Sequence, residues 1–190
     1  MNLRHQVITL LWVAWLIFWI FSARQGKATE RRETALSRLL HFGPIALGMF
    51  VLSSNPGTLS PGLSVRWIRE PEWLYWFSAA LVAVGLVFAC WARVSLGSNW
   101  SAAVTLKRDH QLIVSGPYRY VRHPIYTGLL FALFGTALET TAWRGVIGFA
   151  LIATAIAYKY RTEERFLTDK FGDEYVRYKD DVPALVPFWR

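Results

Sequence analysis

Gly116-Pro117-Tyr118-Arg119-Tyr120-Val121-Arg122-His123-Pro124-Ile125-Tyr126-Thr127-Gly128 is polar, basic and aromatic, and it lies between apolar segments long enough to cross a membrane. Its prolines and glycines break it into turns. Irregular polar backbone at membrane depth persists only where protein or water satisfies its hydrogen bonds. Such a stretch builds a site more readily than it serves as a connector. The plainer alternative is a basic loop held on the cytoplasmic side by its charge.

Working outward, the apolar residues fall into runs separated by charged segments. Of 190 residues, 54% are hydrophobic and 10 are tryptophan, with a formal net charge of +8. Such clustering describes a multi-span membrane protein of one domain. The positive charge collects at the ends of the runs, where anionic headgroups sit, so it points to topology rather than to nucleic acid. Cys90 stands alone in an apolar run. Neither a disulfide within the chain nor a cysteine metal site follows, and no metal is expected.

The spans are expected near residues 6–22, 39–54, 73–92, 125–138 and 142–160, in an all-α polytopic membrane protein of about five transmembrane helices and a single domain, 1–190. A cleaved signal peptide is the rival for the first run, but Trp12, Trp15 and Trp19 make an unusual signal core and Ser22-Ala23 a poor cleavage site. Gly43, Pro44 and Gly48 predict a kink in the second. Thr140 or Thr141 is a natural N-cap for the last, which makes 125–160 a tight helical hairpin. The first connection holds Arg24, Lys27, Arg31, Arg32 and Arg38, and the second only Arg66 and Arg69. Five spans with the N-terminus outside put every basic segment on the cytoplasmic side. The opening stretch and the tail from Arg161 onward then share one face. If the last helix runs past Tyr160, Lys159, Glu163 and Phe166 recur at i, i+4 and i+7 and share a helix face. Ionisable groups at a span's end, facing a polar loop, mark a site, although a solvated helix end with snorkelling cations has the same spacing. Gly172 reads as the stop of that helix.

His110-Gln111-Leu112-Ile113, Ser115-Gly116-Pro117-Tyr118, Arg122-His123-Pro124-Ile125-Tyr126, Glu163-Glu164 and Phe171-Gly172-Asp173-Glu174-Tyr175, in this order, resemble the isoprenylcysteine carboxyl methyltransferase family. It belongs to a wider group of membrane methyltransferases that includes the phospholipid N-methyltransferases. The resemblance covers roughly 96–190, and the first two spans share only their apolar character.

It implies S-adenosylmethionine as methyl donor, bound on the cytoplasmic face by the C-terminal half. Carried over residue by residue, the donor site comprises His110, Gln111, Leu112, Ile113, Tyr118, His123, Pro124, Ile125, Tyr126 and Glu163. Lys159 falls where eukaryotic members place a substrate-contacting arginine, and Arg122 and Arg161 join it as acceptor-binding candidates. No residue is assigned to catalysis itself. Lysine lacks the planar two-point contact of arginine, which leaves the acceptor open. It would be a lipophilic molecule such as a prenylcysteine-type carboxylate, or alternatively a phospholipid amine of the phosphatidylethanolamine type. Glu163 can meet the donor's ammonium or hydroxyls, and backbone near Gly116 and His123 can meet its carboxylate. A carboxylate acceptor needs alignment in a dry pocket more than a base. An amine must first lose a proton, to His123, His110 or a carboxylate. Two other classes compete. Sterol reductases have a similar Arg-His-Pro turn and use NADPH, but usually have more spans; a membrane scaffold would keep the charges as topology signals alone. The compact length resembles prokaryotic members, which places the chain in a prokaryotic inner membrane, among membrane lipids.

Overall fold

The structure is a computed structural model that describes residues 4–22, 29–55, 57–69, 71–100, 105–107 and 112–187. All five apolar runs are helical. They form α1 (Arg4–Ser22), α2 (Ala35–Ser53), α4 (Glu72–Leu96), α5 (Pro124–Thr140) and α6 (Trp143–Phe171), with a single turn α3 (Pro61–Ser64) and an amphipathic α7 (Asp173–Asp181). Two of them, Ala35–Ser53 and Glu72–Asn99, are long and apolar enough to cross a membrane by themselves, and Gln6–Ser22 is a shorter apolar helix.

The helix ends follow from local chemistry. Thr34 caps α2, accepting from Ser37 N and satisfying one donor of its first turn. Pro124 opens α5, where its missing N–H costs nothing. α6 continues to Phe171 and stops at Gly172, whose φ of +54° suits a residue without a Cβ. Helix α2 passes through Pro44 as one element. One expectation fails. The N-cap of α6 is Ala142, with no side-chain bond, because the hairpin is too tight for a threonine cap. Thr141 takes the left-handed turn at φ 46°, and Thr140 Oγ1 instead donates to Ala137 O at 2.8 Å.

Packing relies on close backbone approach. α4 runs against α5 with Gly85 on Gly128; a Cβ at Gly85 would stand 2.5 Å from the Gly128 carbonyl oxygen. α2 crosses α6 at Gly48 and Gly148, where a Cβ on either would lie 2.8 Å from the other's carbonyl. Small residues at both crossings suit helices in lipid, where association draws on van der Waals contact rather than on exclusion of water. α1 leans on α4 through Ile8, Tyr75, Ala79, Val82 and Leu86, and Trp12 Nε1 donates to Thr136 Oγ1 at 3.0 Å. The lateral order is α1, α4, α5, α6, α2. Large apolar side chains point outward, among them Leu39, Trp73, Val84, Val87 and Val94, as a lipid-facing surface requires.

The connections sort to opposite ends. Strands β1 (Thr29–Arg32) and β2 (Thr105–Lys107) pair antiparallel, Thr29 with Lys107 and Arg32 with Thr105. This ribbon departs from a purely helical chain and joins the first connection to the third. At the same end, Arg93 donates to the carbonyls of Ser22 and Gly97 and packs over Trp100. At the other end Arg66 bridges to Ala142, and Trp67 N donates to Thr141 O at 3.0 Å. Among the described residues, Thr29–Arg32 of the first connection lie against Thr105–Lys107 of the third, and the tail lies against Arg122 and His123 before α5.

Candidate functional site

The site forms where the start of α5 meets the end of α6. Gly116–Arg119 is a 3-10 turn that turns the Tyr118 ring into the protein against Ala92 and Ile125, with Ile113 beside them. His123 is the N-cap of α5, and Pro124 and Ile125 are buried behind it.

α6 supplies three ionisable side chains at this level. Tyr126 OH donates to Glu163 Oε1 at 2.5 Å. His123 lies between the two glutamates, with Nδ1 3.7 Å from Glu163 Oε2 and Nε2 3.2 Å from Glu164 Oε1. One turn deeper, Lys159 is buried; its ammonium sits 5.5 Å from the Tyr126 ring and 5.3 Å from the Phe42 ring. The i, i+4 pair thus meets a single tyrosine, at its ring and at its hydroxyl.

Glu164 faces elsewhere. Arg122 contacts its Oε1 through Nε and Nη2, both at 2.8 Å, and Lys179 Nζ lies 3.6 Å from Oε2. Burial alone would raise the Glu164 carboxyl. The hydrogen bond and charge of His123, then Arg122, outweigh it and hold the group at about 2. Arg122 also donates to the carbonyls of Lys179 and Val182. The tail after α7 lies across this cluster like a strap. Arg122 N donates to Pro183 O at 2.9 Å, His123 N to Ala184 O at 3.0 Å, and Thr127 Oγ1 to Leu185 O at 2.7 Å. From α7, Tyr178 OH donates to Tyr118 O at 2.5 Å, and burial pushes the Tyr175 and Tyr178 phenols well above their ordinary range. A groove of about 860 Å³ opens beside the strap, between Arg122, Tyr160, Lys179 and Asp180.

The structure thus brings Tyr118, His123, Pro124, Ile125, Tyr126, Lys159 and Glu163 into one region, with Ile113 behind Tyr118 and Leu112 half-buried next to it. His110 and Gln111 lie outside the described residues. Arg122 sits at the same place but is committed to Glu164 and the strap. Arg161 is exposed, its guanidinium 5.8 Å from the Tyr160 ring. The backbone N–H groups expected for a donor carboxylate are, at Arg122 and His123, taken by the strap. Sequence reasoning missed Lys179, Tyr178 and Thr127 and gave Glu164 no role. It also passed over His41 and Glu33, which are buried on and beside α2.

Residues 79–169, which span most of α4, all of α5 and nearly all of α6, match the model of the isoprenylcysteine carboxyl methyltransferase (ICMT) family. The chain is similar to this family over just under half of its length. Among ICMT relatives, protein-S-isoprenylcysteine O-methyltransferase B of Arabidopsis thaliana is 30% identical over 131 residues, covering 67% of this chain and 64% of the relative. The Schizosaccharomyces pombe protein-S-isoprenylcysteine O-methyltransferase is 35% identical over 99 residues, 50% of this chain and 42% of its own. A bacterial protein, the cobalt-zinc-cadmium resistance protein CzcN of Cupriavidus metallidurans, is 32% identical over 117 residues, 59% of this chain and 51% of its own. The chain spans 42% to 65% of the length of these curated relatives and others like them. The solved eukaryotic intramembrane Ras methyltransferase ICMT superposes with a TM-score of 0.55 at 23% identity, over 82% of this chain and 54% of that one. The likeness shows a shared fold. The matched segment holds Lys159, Glu163 and Glu164 and leaves α1, β1, α2, α7 and the strap outside.

Proposed function

We propose that this chain is an S-adenosylmethionine-dependent membrane methyltransferase that acts on a lipophilic carboxylate, such as a prenylcysteine-type acceptor. The observation that carries the reading is the meeting of Lys159 and Glu163 on the two ends of Tyr126, within the segment that matches the family. The apolar lengths of the five helices, near 6–22, 39–54, 73–92, 125–138 and 142–160, are read as spans, with the first connection, the site and the strap on the cytoplasmic face of a prokaryotic inner membrane, where the first connection's arginines would lie.

The residues fit such a donor. Glu163 keeps 22% of its side chain exposed, and its second oxygen lies 3.7 Å from His123 without a hydrogen bond between them. That oxygen can accept from an ammonium or a ribose hydroxyl. The donor, when bound, supplies an electrophilic methyl carried on a sulfonium. Tyr126 fixes the rotamer of Glu163, while the apolar faces of Ile113, Tyr118 and Ile125 exclude water. Lys159, one turn deeper, would hold the negative group of an acceptor entering from the bilayer. A carboxylate attacks without losing a proton, so alignment and a dry pocket suffice.

The phospholipid-amine reading requires a base. His123 turns both ring nitrogens to glutamates, an arrangement that orients the ring rather than leaving it to an acceptor. Calorimetry on the detergent-solubilised chain tests the class. S-adenosylhomocysteine is expected to bind and NADPH not to; the reverse would turn the assignment toward a membrane reductase.

A further inference from the structure

Tyr118 belongs to a short turn that has little of its own to hold it. Gly116–Arg119 is a single 3-10 turn, with Tyr118 N donating to Ser115 O at 3.2 Å and Tyr120 N to Pro117 O at 3.1 Å. Such a turn has poor hydrogen-bond geometry and no ladder to extend. It keeps one shape where its neighbours fix it, and two tie points come from the tail. Tyr178 of α7 is buried and donates through its hydroxyl to Tyr118 O at 2.5 Å. Four and five residues later the strap accepts from Arg122 N and His123 N. Tyr178 is itself fixed. Its carbonyl accepts from Val182 N at 3.0 Å, and Arg122, paired with Glu164 of α6, donates to the neighbouring carbonyl of Lys179. α7 thus carries the position of α6 to the turn, although α7 and the strap lie outside the segment that matches the family.

We propose that Tyr178 is a positioning residue of the donor site, whose hydroxyl fixes the Tyr118 carbonyl and with it the wall that the Tyr118 ring forms. The proposal rests on the methyltransferase reading, in which Tyr118 lines the donor pocket, and it gives the tail a part in donor binding. The Tyr118 ring packs against Ala92 and Ile125, with Ile113 beside them, so a turn that rocks carries the ring away from the site. A buried carbonyl that loses its donor is driven to find another. In a single turn that means a change of backbone angle. Each alternative shape lowers the fraction of protein able to bind, and the apparent donor affinity falls with that fraction. Tyr178 touches no donor atom in this role and acts through Tyr118 alone. Tyr175 supplies the contrast. It precedes Tyr178 by three residues on α7 and is buried, with its ring 6.0 Å away, but its hydroxyl has no hydrogen-bond partner among the described residues. The two phenols of one helix differ in a bond to the donor turn.

The test uses the full chain in detergent micelles. S-adenosylhomocysteine binding is read by calorimetry well below the unfolding temperature, and thermal unfolding is followed in parallel. Tyr178→Phe keeps the ring and deletes the hydroxyl; it should weaken S-adenosylhomocysteine about three- to tenfold, the scale of one hydrogen bond. Tyr175→Phe should bind it as wild type does. Placing 4-aminophenylalanine at position 178 returns a donor to the same place and should recover most of the lost affinity. A merely structural role would lower the unfolding temperature of Tyr178→Phe and leave the affinity of the folded protein unchanged, and that result overturns the proposal. Equal weakening in Tyr175→Phe overturns it too, as does affinity that the aminophenylalanine does not recover. Should Tyr178→Phe not fold, hydrogen exchange in wild type decides. Coupling is reciprocal, so saturating S-adenosylhomocysteine should slow exchange in α7 as well as in the Gly116–Arg119 turn; protection that stops at the turn overturns the proposal. Wild type that fails to bind S-adenosylhomocysteine removes the methyltransferase reading itself. Wild type that binds it, with Tyr178→Phe binding equally well, removes the positioning role alone.

Discussion

Glu163 and Glu164 are adjacent on α6, so their side chains leave the helix about 100° apart, and the two sides they face are built differently. Glu164 is enclosed by Arg122, His123 and Lys179, with the strap drawn over them. Its bonding capacity is used by the protein. Glu163 receives one hydroxyl from Tyr126 and keeps an oxygen for something else. Two carboxylates of identical chemistry thus divide between holding the tail and presenting a surface. The difference comes from which neighbours complete their hydrogen bonds.

Breaking the enclosed side should have the largest effect. Glu164→Ala leaves the Arg122 guanidinium, only 10% exposed, without its anion. Removing one partner of a buried pair costs about 3–5 kcal/mol, to be read as a loss of thermal stability in detergent and as release of the strap to limited proteolysis. A variant that melts like wild type would show that the strap is held by its backbone bonds alone.

Glu163→Ala tests the other side. The fold should remain near wild type, while S-adenosylhomocysteine affinity falls by about 1.5–3 kcal/mol, the scale of a hydrogen bond to a charged group. Unchanged affinity in a folded protein would remove Glu163 from the donor site. Together the two alanine variants should separate stability from binding; a matching pair of losses would dissolve the distinction drawn above.

Acid sharpens the same contrast. The Glu164 carboxyl is held at about 2, below its ordinary value near 4.5. Its contribution to stability is therefore complete above pH 4.5 and is lost as pH falls from there toward 2. Glu164→Gln should flatten that part of the stability curve, followed by thermal unfolding at stepped pH. An equally steep fall in the variant would assign the acid sensitivity to other groups.

How far the sequence reached follows the same division. Helices were legible because apolar runs of span length leave little else for the backbone to do, and α6 overran its apolar part because nothing breaks a helix before Gly172. Lys159, Glu163 and Tyr126 were legible because helical spacing and a motif place them together. The strap was not, since Pro183, Ala184 and Leu185 act through their carbonyls, and a carbonyl has no residue signature. The β1–β2 ribbon was missed for a similar reason: Thr29–Arg32 shows no alternation of apolar and polar residues. Glu33, Ser37 and His41 did leave a signal, three polar side chains four residues apart leading into an apolar run, and it went unread.

The smallest expected effect concerns Lys159, which stands between the two regions on neither carboxylate's immediate shell. Its ammonium touches the rings of Phe42 and Tyr126, contacts of about 0.5–2 kcal/mol each. Removing a buried charge offsets much of that loss, so Lys159→Met, which keeps the aliphatic stem, should alter stability little. If Glu163 holds the donor and Lys159 the acceptor, the variant should raise the acceptor KM several-fold or lower kcat, while S-adenosylhomocysteine affinity remains that of wild type. Lys159→Arg should restore part of the activity, because a guanidinium can offer a carboxylate two parallel hydrogen bonds. Incomplete recovery is expected, since the larger planar group must fit between two rings spaced for an ammonium. Loss of donor affinity equal to the loss of activity would place Lys159 on the Glu163 side, and full activity in Lys159→Met would leave it with a structural role alone.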